Sequence, residues 1–419
     1  MYDMQVSVAV IGGGPAGLSA AVSAKKNGAE RVLIVERDTR LGGILQQCIH
    51  PGFGLTYFKQ ELTGPEYAGN FIKEAAEAGV EVLSDTMVID VDAKTHTVTG
   101  VCPAHGIVKI KAGAVVLAMG CRERTRANIQ IPGTRPAGIY TAGAAQRLIN
   151  RENTVVGKEI VILGSGDIGM IMARRMSLEG CKVKAVVEIM DYLAGLTRNR
   201  VQCLDDFNIP LLLSHTVTRI VGNERVEGVY IAKVDENRRP IPETEEFIAC
   251  DTLLLSVGLI PENELTKGAS IEMAPLTNGP KVDQHMETSA EGVFACGNVV
   301  HVNDLVDNVT VESAVAGRYA ALRAEGKMPE KVRSVELVPG ENVRYLCPES
   351  LNLTGESETV RLNFRVKVPM GKVVLTAESG GKEIFRKKEI RVNPGEMCHI
   401  DVKTDDVAGG SVTVNVREE

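Results

Sequence analysis

Residues 6–36 read VSVAVIGGGPAGLSAAVSAKKNGAERVLIVE. The run from Val6 to Ile11 is apolar and has the length of a buried strand. Gly12, Gly14 and Gly17 follow at G-x-G-x-x-G spacing, then a stretch of helical composition, then a second apolar run ending on Glu36. Strand, glycine turn, helix and a strand tipped by an acid form the context in which this spacing binds a dinucleotide. Gly12 permits the tight turn, Gly14 lets backbone approach a pyrophosphate, and Gly17 lets helix and strand pack closely. The helix start at Pro15 and Ala16 offers free N–H groups and a partial positive charge to phosphates. Glu36 is placed to accept hydrogen bonds from a ribose. The competing reading is a glycine-rich turn in a domain that binds no nucleotide.

The pattern occurs twice. EIVIL (159–163) leads into Gly164, Gly166, Asp167, Ile168 and Gly169, a helix follows, and KVKAVVE ends on Glu188. The offset from Gly164 to Glu188 equals that from Gly12 to Glu36, as expected for two copies of one supersecondary unit. Two dinucleotides in one chain imply hydride transfer between them. Glu188 would set like charges together against a 2′-phosphate, and Ile189, Met190 and Asp191 follow it with no arginine. The second site is therefore expected to take NAD(H) in preference to NADP(H). An acid that merely ends a strand in solvent is the alternative.

Composition narrows the class. The 419 residues carry a net charge of −7, aromatics make up 4% and tryptophan is absent, which argues against a nucleic-acid surface. The apolar runs are short and broken, so no membrane span is expected. Nine cysteines without a C-x-x-C pair suit a reduced, cytoplasmic protein. No metal site is expected either, because neither His285 nor His301 has a cluster at ligand spacing along the chain.

Two strands ending in small residues, AVVLAMG (114–120, with Ala118 and Gly120) and TLLLSVG (252–258, with Gly258), precede EGVFACGN (291–298) and the helical VESAVAGRYAA. With Pro15-Ala16, Glu36-Arg37 and Leu41-Gly42-Gly43, these segments resemble the two-dinucleotide-binding flavoprotein superfamily that includes the pyridine nucleotide–disulfide oxidoreductases, over roughly residues 5–325. The resemblance implies an α/β fold with two Rossmann-like domains, the NAD domain inserted in the FAD domain. The FAD domain is expected at 1–125 and 285–330, the NAD domain with its linker at 126–284. It further implies that Gly297 and Asn298 lie along the ribityl chain of FAD. Asn298 stands where the family has an acid, which weakens that contact without removing it.

Disulfide reduction needs an attacking thiolate and a second sulfur. After Gly42-Gly43 there is only Cys48, and the stretch 138–146, where thioredoxin reductases carry their pair, has no cysteine. CRERTRANIQIPGTRPAGIYTAGAAQRL resembles the FAD/NAD subunits of opine oxidases and hydrogen cyanide synthase. GGILQQCIHPGFGL, ELTGPEYA and EIMDYLAGLTRNRVQCLDDFNIPL resemble bacterial FAD/NAD oxidoreductases associated with anaerobic glycerol-3-phosphate dehydrogenases. These resemblances imply an electron-transfer component with a flavoprotein dehydrogenase partner and a small iron–sulfur or cysteine-rich subunit, in a homo- or hetero-oligomer. The alternatives are a stand-alone NADH oxidase or reductase and a nucleotide-binding redox sensor or scaffold.

Residues 46–71 gather Phe53, Tyr57, Phe58, Tyr67 and Phe71 among glycines, with Cys48 and His50. This reads as a loop near the flavin, with His50 a proton donor or charge partner and Cys48 redox-active. The plainer reading is a packed aromatic lid over an inert thiol. From about 336 to 419 the pattern alternates, as in Val360, Leu362, Phe364, Val366 and Val368, with turn signals at 370–371, 380–381, 393–395 and 409–410. A small all-β domain is expected there, either docking a partner or capping the FAD domain.

Overall fold

The computed structural model describes residues 2–419 and divides them into two compact units. One comprises the chain up to Cys121 and from Pro261 onward; the other is Arg122–Ile260. Among the described residues no helix is long and apolar enough to cross a membrane.

In the first unit the opening run forms the strand Tyr2–Ile11, which pairs in parallel with Val32–Val35 on one side and Gly106–Leu117 on the other. Glu81–Leu83 closes one edge. The first half of Gly106–Leu117 pairs antiparallel with Thr97–Cys102, which pairs with Met87–Asp92. The last residues of that long strand pair in parallel with Val293–Ala295. Buried on both faces, the central strands read as unbroken apolar runs. Two long helices, Pro15–Lys26 and Val306–Ala324, lie against each other. Ser19 Oγ donates to Thr310 O (2.7 Å) and Ser23 Oγ to Ala314 O (2.6 Å). A Cβ at Gly317 would fall 2.0 Å from Ala20 O, so this crossing requires glycine there.

The second unit repeats the strand order. Leu211–Leu212, Lys182–Val187, Glu159–Leu163 and Thr252–Leu255 run in parallel, with Ile139–Thr141 added at the far edge. A three-stranded antiparallel sheet, His215–Gly222, Val226–Lys233 and Glu246–Ala249, precedes the last long strand, as the 87–111 strands do in the first unit.

The chain returns to the first unit at Pro261, well before the expected 285. Residues 261–284 are held there by contacts that no local pattern announces. Asn263 Nδ2 donates to Asn278 O and Val299 O, and Leu265, Ala269 and Ile271 pack on the first unit's core.

Residues 333–419 form two sheets. One holds Ser350–Leu353, Arg333–Pro339, Ser411–Glu418, Met370–Ser379 and Lys382–Val392; the other holds Val343–Cys347, Thr359–Val366 and Cys398–Lys403. Val360, Leu362, Phe364 and Val366 are buried, but the strand ends at Val366 and Val368 is exposed, so the expected apolar stripe is one residue shorter. The polar face of this strand is not simply wet. Arg365 donates to Val302 O (3.1 Å) and pairs with Asp304, and Met397 N donates to Asp304 Oδ2 (2.6 Å). These bonds pin the C-terminal sheets to the segment before the helix Val306–Ala324.

Candidate dinucleotide sites

In the first glycine turn, two glycines are demanded by the chain itself. Gly12 has φ +104°, and its Cβ would fall 2.5 Å from Ala118 O. A Cβ at Gly17 would sit 1.8 Å from Gly12 O. Gly14 differs: it precedes the helix Pro15–Lys26, and its Cβ would meet only Gly43 Cα, at 3.9 Å. The open space beside Gly14, at a helix N-terminus, is the room a pyrophosphate needs. Gly42 and Gly43 (φ +105° and +53°) bring the next turn against it, with Gly42 N donating to Gly13 O (2.8 Å). Glu36 is buried at the tip of its strand. Its Oε2 accepts from Gly13 N (2.6 Å) and its Oε1 from Asp38 N (2.7 Å), while Arg37 beside it is exposed.

The return segment reaches the same turn. A Cβ at Gly297 (φ +73°) would fall 2.8 Å from Ala16 Cβ. Asn298 is already engaged within the protein: Oδ1 accepts from Asn303 N (2.9 Å) and Nδ2 lies 3.5 Å from Cys121 Sγ. A ribityl contact would therefore use its remaining hydrogen-bonding capacity. Asp307, in the first turn of the helix Val306–Ala324, escaped the sequence reading. Its Oδ2 accepts from Thr56 N (2.8 Å) and Tyr57 N (3.3 Å), yet its buried Oδ1 has no partner, and neither has Asn303 Oδ1. Buried acceptors without donors fit a segment that waits for a polar ligand. The residues present thus fit FAD.

The 46–71 stretch is less loop-like than expected. A helix, Gly64–Glu77, starts inside it, with Thr63 and Glu66 forming a reciprocal cap. Tyr67 and Phe71 are core residues, and Tyr67 Oη lies 2.7 Å from Thr310 Oγ1. Tyr57 and Phe58 pack on them, so this cluster is packing and not a substrate pocket. Cys48 is buried, its thiol donates to Ile44 O (3.3 Å), and burial pushes its pKa up to about 12. It is a thiol at neutral pH, which removes the basis for the redox role expected of it. His50 Nδ1 lies 3.0 Å from Pro51 O, and its ring packs on Phe53.

The second turn copies the first. A Cβ at Gly164 (φ +101°) would fall 2.0 Å from Ser256 O, and one at Gly169 would fall 2.6 Å from Gly164 O. Gly166 stands before the helix Asp167–Leu178, with Ile168 in its first turn. Glu188 is buried. Its Oε2 accepts from both Ser165 N and Ser165 Oγ (2.8 Å each), and its Oε1 accepts from Met190 N (2.9 Å). The segment after Glu188 folds over the turn. Ala194 N donates to Ser165 Oγ, Gly195 N to Ser165 O, and Leu196 N and Asn199 Nδ2 to Asp167 Oδ1. Gly258 has φ +103°, and a Cβ there would meet only Arg124, at 3.9 Å. The cysteine-free stretch 138–146 contributes Ile139, Tyr140, Thr141 and Ala144 to a cavity of about 890 Å³ in this unit.

A family model described as pyridine nucleotide-disulphide oxidoreductase matches residues 6–321. The chain belongs to this family. Members of the pyridine nucleotide-disulphide oxidoreductase family bind FAD and NAD(P)H. An opine oxidase subunit of Agrobacterium tumefaciens is 25% identical over 343 residues, covering 77% of this chain but only 65% of that protein, under two thirds of its length. A Pyrococcus horikoshii protein named NAD(P)H coenzyme A polysulfide/persulfide reductase is 24% identical, covering 97% of this chain and 89% of its own. Among solved structures, the thioredoxin reductase of T. acidophilum shares the fold with a TM-score of 0.61 at 24% identity, covering 77% of this chain and 99% of that one.

Proposed function

We propose that this family member exchanges hydride between NAD(H) and FAD as the electron-transfer component of a multi-subunit dehydrogenase of the glycerol-3-phosphate dehydrogenase type. The observation that carries the reading is what the chain lacks beside two complete glycine turns: a thiol pair. Cys48 stands alone after Gly42-Gly43 and is buried, and residues 138–146 have no cysteine. A dithiol relay has nowhere to operate, which favours an electron acceptor other than a disulfide. The likeness to a protein named as one subunit of opine oxidase supports a partner-dependent reaction.

Bound FAD would supply a site that accepts or gives a hydride. The chain's own part is positioning. Gly12, Gly14 and Gly17, with the helix start at Pro15-Ala16, would hold the FAD pyrophosphate, and Glu36 a ribose. Gly43, Gly297, Asn298 and the unpartnered Asp307 Oδ1 would line the remainder. Gly164, Gly166 and Gly169 would do the same for NAD, and the Glu188 carboxylate disfavours a 2′-phosphate by like charge. His50 would serve as a proton donor or charge partner. Nine cysteines with no disulfide suit a reducing, cytoplasmic setting.

The test compares acceptors. The purified chain should reduce a one-electron dye with NADH, unchanged within about twofold in Cys48→Ser, and should not reduce an aromatic disulfide. NADH-dependent disulfide reduction that disappears in Cys48→Ser would overturn the reading.

A further inference from the structure

Three side chains distant in sequence converge inside the first unit. His301 follows the turn Gly297–Val299, Glu312 lies in the helix Val306–Ala324, and Cys347 ends the strand Val343–Cys347. All three are buried, and one nitrogen, one carboxylate oxygen and one sulfur lie within 4.8 Å of one another. Glu312 is held in place, because its Oε1 accepts from Gly297 N (2.7 Å). That leaves Oε2 facing His301 Nε2 at 2.7 Å. His301 Nδ1 is buried without a partner, while Nε2 carries the proton that the Glu312 carboxylate accepts. A metal ion would displace that proton and take the Nε2 lone pair.

Imidazole, carboxylate and thiolate together are the donor set of zinc. Two anionic donors and one neutral donor balance a dication, which a buried site requires. Donors on one tetrahedral zinc stand about 3.5–4 Å apart, judging from metal–ligand distances of about 2.0–2.3 Å. Against that spacing the His301–Glu312 pair at 2.7 Å must open, with the ion entering between the two donors. A cavity of about 490 Å³ is lined by two of the three donors, Glu312 and Cys347.

We propose that His301, Glu312 and Cys347 bind one zinc ion that ties the C-terminal sheets to the return segment and its helix. The sequence expectation of no metal site at His301 rested on spacing along the chain alone. Ligand spacing along the chain is blind to it, because the donors come from three separate segments. It does not depend on the hydride-transfer reading, since the ion acts as a staple between strand and helix.

The flavin-loaded protein, stripped with a chelator and dialysed against Zn²⁺, tests this by metal counting and zinc-edge X-ray absorption. The expected result is one zinc per chain with a single sulfur neighbour at about 2.3 Å. Zinc should also raise the melting temperature of the stripped protein. Cys347→Ser should lose the sulfur shell and bind zinc at least tenfold more weakly, and His301→Gln should weaken it likewise. If those variants fail to fold, the wild-type count and shell decide. Far less than one zinc per chain, or a zinc with no sulfur neighbour, overturns the proposal.

Discussion

Ser165 and Glu188 are joined twice, since the backbone N–H and the hydroxyl of the serine both donate to the same carboxylate oxygen at 2.8 Å. Gly13 and Glu36 repeat the backbone half of this arrangement at 2.6 Å. In both turns the other oxygen accepts from the N–H two residues further on, Asp38 or Met190. The strand-end acids therefore brace the glycine turns, and, with the ribose contact proposed for each, a substitution at either is felt twice.

Glu188→Gln keeps an acceptor for Ser165 but removes the charge. Hydrogen bonds to a charged group contribute about 1.5–3 kcal/mol, so NADH affinity should fall roughly ten- to a hundredfold. The preference for NADH over NADPH should narrow at the same time, because the like-charge penalty against a 2′-phosphate is gone. Fluorescence titration with both nucleotides measures this. An unchanged ratio would mean that Glu188 only braces the turn.

Gly17 and Gly14 separate fold from ligand. Gly17→Ala would drive a methyl into Gly12 O, 1.8 Å away, and should destabilise the protein by about 1–3 kcal/mol or more. Gly14→Ala has 3.9 Å of clearance and should leave stability of the FAD-free protein nearly unchanged while weakening FAD binding. Thermal melts with and without FAD distinguish the two. Equal losses in the FAD-free protein would contradict the space assigned to the pyrophosphate.

Glu358 gives an acid-side prediction. Burial alone would raise its pKa, but hydrogen bonds from His285 and Gln284 outweigh that and hold the carboxyl below its ordinary range. A depressed folded-state value means its stabilisation is present above the ordinary carboxylate range and is lost as pH falls through the folded-state value. Glu358→Gln should therefore lower the melting temperature near neutrality and flatten its fall on acidification. Parallel acid limbs for the two proteins would contradict this.

What the sequence made legible was local. Val6–Ile11, the glycine triplets and the two strand-end acids all sit within one strand–turn–helix–strand unit, where spacing and geometry are the same statement. The alternation at Val360–Val366 was readable for the same reason. What stayed hidden needs contacts between distant segments. The return at Pro261 depends on Asn263 reaching Val299, and Asp307 is informative only because Thr56 and Tyr57 donate to it. For Cys48, position after Gly42-Gly43 left a redox role and an inert packing thiol both open, and its burial, which position does not reveal, raises its pKa to about 12. The aromatic run at 53–71 was read as a loop, whereas Tyr67 and Phe71 belong to a helix that starts at Gly64.

Hydride transfer between two cofactors on one chain has a direct optical readout. Anaerobic titration of the FAD-loaded protein with NADH and then NADPH, followed by visible flavin absorption, tests it most directly. Bleaching is expected at about one NADH per flavin, with NADPH needed at far higher concentration. A flavin that binds but stays oxidised under saturating NADH would contradict it.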